Sequence, residues 1–245
     1  MQISKRLKFF LNHLFISALI VSTVIGVVYF VWYPYPLNQI LEVTHIFLMM
    51  SIIDIIVGPI LSLLIYKTNK KKLFFDLVVI IIIQLTALSY GVYSISQARP
   101  AWIVFSVDRF ELVRANEISI LPNTKVKPIY QYPSWFGPTY VAVQLSNNKE
   151  QKEVDMFNAV FGLTLAKQPN RYLDISNVKL DIKNKALSLD LLRDFNSMSS
   201  IDSTLNSYPE ANSWIPLHSS TKDCVVLINR NSSKIISIVN LKPWK

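Results

Sequence analysis

The chain has 245 residues, 51% of them hydrophobic, with 25 Lys and Arg against 16 Asp and Glu for a formal net charge of +9. Residues 1–97 hold seven of the basic and three of the acidic residues, which leaves +5 spread through the remainder among interspersed acids; with no basic stripe interleaved with aromatics, this excludes a nucleic-acid binder. The single cysteine, Cys224, excludes an internal disulfide, and the strand-like Val225–Ile228 behind it points to a buried thiol.

The apolar excess lies almost wholly before Ala98, so the chain reads as a membrane part, 1–97, followed by an α+β domain, 98–245. A first span is expected over about 11–32, behind Lys5, Arg6 and Lys8. Roughly 20 apolar residues at about 1.5 Å each cross a hydrocarbon core of about 30 Å. The stretch is too long for a signal h-region and lacks a small-x-small cleavage site, so it reads as a retained signal anchor. Trp32, Tyr33 and Tyr35, with Pro34 and Pro36, look like an interfacial aromatic belt and a helix stop. Further spans are expected over about 44–65 and 75–96. The loop between them, 66–72, holds four lysines, whereas the loop after the first span holds no charge. The positive-inside rule then puts the N-terminus and the Lys-rich loop in the cytoplasm and, with three spans, the C-terminal domain in the periplasm.

Small and polar residues line one face of each span: Thr44, Ser51, Asp54, Gly58 and Ser62 in the second; Gln84, Ala87, Gly91 and Ser94 in the third; Ala18, Ser22 and Gly26 in the first. Such stripes let helices approach closely in lipid. They serve either packing among the three helices or contact with another protein's helix. Asp54 near mid-span demands a partner or a proton. It is either neutral, or hydrogen-bonded to Ser51, Gln84 or Tyr90, or it receives a polar or cationic group of a partner helix. Gly58-Pro59 one turn later is expected to free a backbone carbonyl near Ile55 and to kink the helix. A proton relay lacks the further intramembrane acids it would need.

Beyond Pro100, Ala101–Val107 and Phe110–Val113 read as strands, a hairpin or one bent strand about Asp108-Arg109. A Pro-rich loop ends in Ser134-Trp135-Phe136-Gly137-Pro138 and leads into a strand, Thr139–Leu145. Asn148–Phe161 reads as an amphipathic helix with Val154, Phe157, Val160 and Phe161 inward. Leu187–Phe195 reads as a helix with Ser188 as N-cap, and Val225–Ile228 with Ile235–Leu241 as a hairpin. The pattern predicts an antiparallel sheet in an α+β domain. His13, His45 and His218 have no metal-ligand spacing, and no phosphate-binding glycine loop, GxSxG or HExxH occurs, so no cofactor, metal or catalytic residue is expected and the chain is not read as an enzyme.

Several segments, taken in order, resemble one family: Trp32-Tyr33-Pro34-Tyr35-Pro36-Leu37, Asp54 with Gly58-Pro59, Phe75-Asp76-Leu77, Gln97-Ala98-Arg99-Pro100, Val104–Glu111, Pro133–Pro138 and Leu241-Lys242-Pro243-Trp244. Together they are similar to the TfpX/TfpZ family of type IV pilin accessory proteins. The resemblance implies an inner-membrane accessory factor, a pilin-specific chaperone or assembly cofactor, whose partners are the major type IV pilin, inner-membrane pilus assembly components and membrane lipid. Candidate partner-binding residues are Asp54, Gly58, Pro59 and Ser51 in the spans and Asp108, Arg109, Trp135, Gly137 and Pro138 in the domain; the domain residues read more simply as a turn ion pair and a loop anchored by a buried Trp. Two competing readings are a regulatory or sensory membrane protein, for which the short cytoplasmic parts leave no output domain, and a membrane enzyme on lipid-linked sugars, for which Glu42 and Asp54 make a poor carboxylate pair.

Overall fold

A computed structural model describes residues 4–67, 72–122 and 124–244, so Lys70 and Lys71 of the basic loop lie outside the described residues. The chain divides into two compact units, Met1–Val31 with Glu42–Gln97, and Trp32–Leu41 with Ala98–Lys245.

In the first unit, α1 (Lys5–Gly26) starts at Ser4, whose side chain accepts the Leu7 N–H, and continues as a π-helical turn, Val27–Trp32. The second helical run comprises α2 (Val43–Ile52), a π-helical turn (Ile53–Val57) and α3 (Gly58–Ile65). Pro59 lacks the N–H that would bond the Ile55 carbonyl, and the expected irregularity takes the form of this wider winding. Then α4 (Leu73–Gln97) follows. Lys5–Trp32 and Leu73–Gln97 are the two described helices long and apolar enough to cross a membrane, and Ile53–Ile65 is a shorter apolar one. The unit is apolar outside, with Phe15, Phe30, Leu64, Phe74 and Ile83 exposed, while Ser51, Asp54 and Ser62 are buried. α3 packs against both α1 and α4. The small-residue stripe of the second run is therefore interior from Ser51 to Ser62, whereas Ser22, Ala87 and Ser94 of the other two stripes are exposed.

The second unit is an eight-stranded curled sheet. Its strands are β1 (Pro100–Ser106), β2 (Arg109–Arg114), β3 (Thr139–Val143), β4 (Tyr172–Asp174), β5 (Leu187–Ser188), β6 (Ser213–His218), β7 (Cys224–Asn229) and β8 (Lys234–Val239), in the order β4-β3-β1-β2-β6-β7-β8 with β5 on β6. β1 and β2 form a hairpin, turned at Val107, whose φ is 57°. All seven β1 residues are buried, as befits a central strand covered on both faces. The expected antiparallel sheet is corrected to a mixed one, because β1 pairs β3 and β2 pairs β6 in parallel. Both parallel pairs join strands separated by long connections, which local alternation does not reveal.

One core cluster gathers Trp102, Tyr130 and Tyr172 edge to face around Val104, Val141 and Val143. A second packs Trp214, Val225, Leu227 and Val239 under Leu192 and Ile201. Cys224 is buried in β7, and burial pushes its thiol up to about 12.

Three further expectations are corrected. The helix expected over 148–161 exists as α5 (Lys149–Val160), capped by Asn148, but Val154, Phe157, Val160 and Phe161 point outward and are 50–82% exposed. The inward group is Asp155, which meets Arg171 at 3.1 Å, accepts the Gln151 amide at 2.9 Å and thereby clamps the helix to the domain. The segment expected as a helix over 187–195 is β5 followed by a 3₁₀ run, Leu189–Asp194, with Ser188 at its N-cap as anticipated. Of the three aromatics expected to face a membrane interface, Trp32 and Tyr33 are buried against protein and only Tyr35 is exposed.

Candidate functional site

In the first unit the candidate residues gather about Asp54, which the π-helical turn turns inward. Asp54 is 5% exposed, and neither carboxylate oxygen has a hydrogen-bond partner among the described residues. The partners weighed for it are otherwise engaged. Ser51 donates to the Phe47 carbonyl at 2.8 Å, the Gln84 amide donates to the backbone carbonyl of Asp54 at 3.1 Å, and Tyr90 is exposed. Ser62 donates to the Pro59 carbonyl at 2.7 Å, so the His13 Nδ1–H is the donor in the 3.1 Å contact between those two side chains. Gly58 makes room for the Gln84 amide, because a Cβ there would fall 1.7 Å from Gln84 Nε2 and the side chain would have to move. A cleft of about 350 Å³ opens beside Asp54, walled by α1 and α4.

In the second unit the fold joins two segments that lie a hundred residues apart. Trp32 and Trp135 meet with ring centroids 5.9 Å apart and planes tilted by 46°, and the buried Arg99 guanidinium lies 4.1 Å above the Trp135 ring. Trp135 is 53% exposed, so the loop is not anchored by a buried Trp as one reading held. Tyr33 beside them is pushed up to about 12 by burial, against a smaller opposing pull from Arg114 and Arg99. Gly137, at φ 85°, turns the loop into β3, a backbone conformation that favours glycine. Tyr35 and Phe136 stand exposed at the rim of a groove of about 310 Å³ whose floor includes Ile103, Tyr140 and Ile236. Pro138 lines the same groove, and the Tyr35–Pro36 peptide bond is cis.

Asp108 and Arg109 lie apart from this group. They pair at 2.9 Å in the exposed β1–β2 turn, and that hydrogen bond holds the guanidinium above its ordinary range. Thr139 aligns with Trp102 near the start of β1 and the Asp108 turn follows its end, so the two patches are separated by most of a strand, roughly 15 Å.

Two functional-looking features escaped sequence reasoning. One is the outward apolar face of α5, whose period was legible but whose direction was not. The other is Asp223, which accepts from Trp244 Nε1 at 3.0 Å and the Ser219 N–H at 2.9 Å and contacts His218 Nδ1 at 2.8 Å, so that the Leu-Lys-Pro-Trp ending closes onto the β6–β7 turn. Among the described residues no group of three His, Cys, Asp or Glu could hold a metal ion.

Residues 1–42 match the family model described as fimbrial assembly protein FimB. The fimbrial assembly protein of serogroup I from Dichelobacter nodosus is 30% identical over 179 residues, covering 72% of this chain and 70% of that protein. Its serogroup E1 counterpart is 29% identical over the same coverage, and that of serogroups C1 and C2 is 34% identical over 108 residues, covering 43% of this chain and 82% of that protein. No solved structure matches. With its N-terminal segment matching the family model and its similarity to the serogroup I protein extending over more than two thirds of both chains, this chain belongs to the FimB family of fimbrial assembly proteins.

Proposed function

We propose that this chain is a multi-pass inner-membrane accessory factor of the TfpX/TfpZ kind that supports type IV pilus assembly by binding the cognate major pilin, through binding and not chemistry. Family membership and the names of the Dichelobacter nodosus relatives support the assembly role. Two long apolar helices and an apolar exterior over buried Ser51, Asp54 and Ser62 support a bilayer setting, since a polar interior within an apolar surface suits lipid as solvent. In this reading the Val43–Ile65 run is the second of three spans and the basic residues at 5–8 and 67–72 lie in the cytoplasm, which leaves the sheet domain in the periplasm.

The observation that carries the binding reading is the exposed aromatic ledge of Tyr35, Trp135 and Phe136, built from two distant segments and backed by Trp32 and Arg99. Rigid aromatics over a buried support are the kind of surface that dominates protein interfaces. A membrane-tethered domain that holds one part of a pilin subunit raises the effective concentration of contacts to the rest. The test is surface piliation and pilin co-purification in a strain carrying Trp135→Ala with Phe136→Ser. Both should fall at least tenfold while the protein still accumulates in the membrane; wild-type piliation from that double variant would refute the ledge as the binding surface.

A further inference from the structure

The first unit holds a buried carboxylate that its own fold leaves unused. Asp54 is more than nine-tenths buried, both its oxygens lack hydrogen-bond partners among the described residues, and Ser51, Ser62 and the Gln84 amide are committed elsewhere. A carboxylate withdrawn from water without a hydrogen bond is unfavourable by several kcal/mol until a donor reaches it, and a donor that also carries positive charge recovers the most. Asp54 forms part of the wall of the cleft of about 350 Å³, whose other polar lining is Asn12, His13, Ser17 and Gln84 among apolar residues that include Ile16 and Leu85. Ile16 and Leu85 are exposed, so the cleft is open along the helices.

Depth selects the source of the donor. Asp54 is eleven residues from either end of the Val43–Ile65 run, about 16 Å of helix on each side. That is the middle of a hydrocarbon layer of about 30 Å. A lipid headgroup amine lies at the layer's surface, whereas a basic side chain or chain terminus on a membrane-embedded helix can lie at mid-depth.

We propose that the Asp54 cleft receives a cationic, hydrogen-bond-donating group carried by a membrane-embedded segment of a partner protein. This rests on the membrane setting proposed above, but it holds whether or not that partner is the pilin. The test places a photoreactive amino acid at Ile16 or Leu85 in the full-length chain in its native membrane and maps the captured peptides by mass spectrometry. The expected capture is an apolar segment bearing a Lys, Arg or amino terminus within a helical turn of the crosslink. Asp54→Asn, which mimics the neutral acid, should lower the yield more than tenfold, and Asp54→Glu should restore most of it. Equal yield from Asp54→Asn, capture of segments without a cationic group, or capture of lipid alone would overturn the proposal. If Asp54→Asn does not accumulate, the wild-type capture decides by the same criterion. A cationic segment from a protein other than the pilin supports the cleft assignment and counts against the pilin reading, so the two fail separately.

Discussion

Asp155→Ala should loosen α5, although the helix's apolar stripe suggests that its hydrophobic residues hold it. The stripe faces outward, and what ties the helix to the sheet is the Asp155–Arg171 pair, whose side chains are 9% and 17% exposed. Arg171 also donates from Nε and Nη2 to the Gln144 carbonyl at 3.2 and 3.0 Å, which fixes it against the end of β3. Removing the carboxylate leaves a largely buried guanidinium with half its partners and frees Gln151. Breaking a buried pair of this kind costs about 3 kcal/mol, which corresponds to roughly a hundredfold change in a local opening equilibrium at about 1.4 kcal/mol per decade. Amide hydrogen exchange on the full-length protein in nanodiscs is the assay, read on peptides covering 149–161. Asp155→Ala should reduce their protection by about two orders of magnitude and leave β7 unchanged. Phe157→Ser, on the outward face, should change protection by less than about 0.5 kcal/mol, as exposed substitutions do. If Phe157→Ser opens the helix and Asp155→Ala does not, the inward face has been misassigned.

Four other outcomes follow from the same geometry. Gly58→Leu forces a side chain into the space of Gln84 and should destabilise the helical unit by about 1–3 kcal/mol, measured by denaturant unfolding in detergent, with Gln84→Ala recovering at least half of the loss. Native Cys224, with its thiol raised from 9.0 to about 12, should be alkylated at pH 8 at least about a thousandfold more slowly than the unfolded chain, by mass-spectrometric labelling. The raised folded value also fixes the sign of its pH dependence: its contribution to stability is complete below pH 9 and is lost as pH rises towards 12, so an alkaline melting curve of Cys224→Ala should fall less steeply than wild type over that window. Trp244→Phe removes the hydrogen bond to Asp223 and should lower the stability of the sheet unit by about 1 kcal/mol in a melting experiment, with Asp223→Asn giving a loss of the same sign.

The hairpin of Cys224–Asn229 with Lys234–Val239 was legible because alternation and turn residues lie within one stretch of sequence, whereas Pro100–Ser106 and Arg109–Arg114 were legible as strands but Asp108-Arg109 did not decide between a hairpin and one bent strand. β6 was not, because Pro216 interrupts an otherwise ordinary strand. The structure accommodates it between neighbours: β5 pairs with Ser213 and Trp214, and β2 with Leu217 and His218, so Pro216 faces a gap on that side. The stripe of α5 showed its period but not its direction, since the residue that turns Asp155 inward is Arg171, sixteen positions away at the end of the 3₁₀ turn Pro169–Arg171. At the candidate sites, an acid in the middle of an apolar run made Asp54 conspicuous, yet the lack of a partner is visible only once Ser51 and Gln84 are seen bonding backbone carbonyls. The Trp32–Trp135 contact was likewise hidden, because both motifs were apparent in sequence but about a hundred residues separate them.

The central claim, that this family member supports assembly by holding the major pilin in the membrane, is tested most directly by crosslinking the full-length chain in its native membrane through a photoreactive residue at Tyr35, on the rim of the aromatic ledge. The account predicts that the major pilin is the principal adduct and that Trp135→Ala with Phe136→Ser reduces it at least tenfold. Recovery of no pilin, under conditions that capture other pilus assembly components, would contradict it.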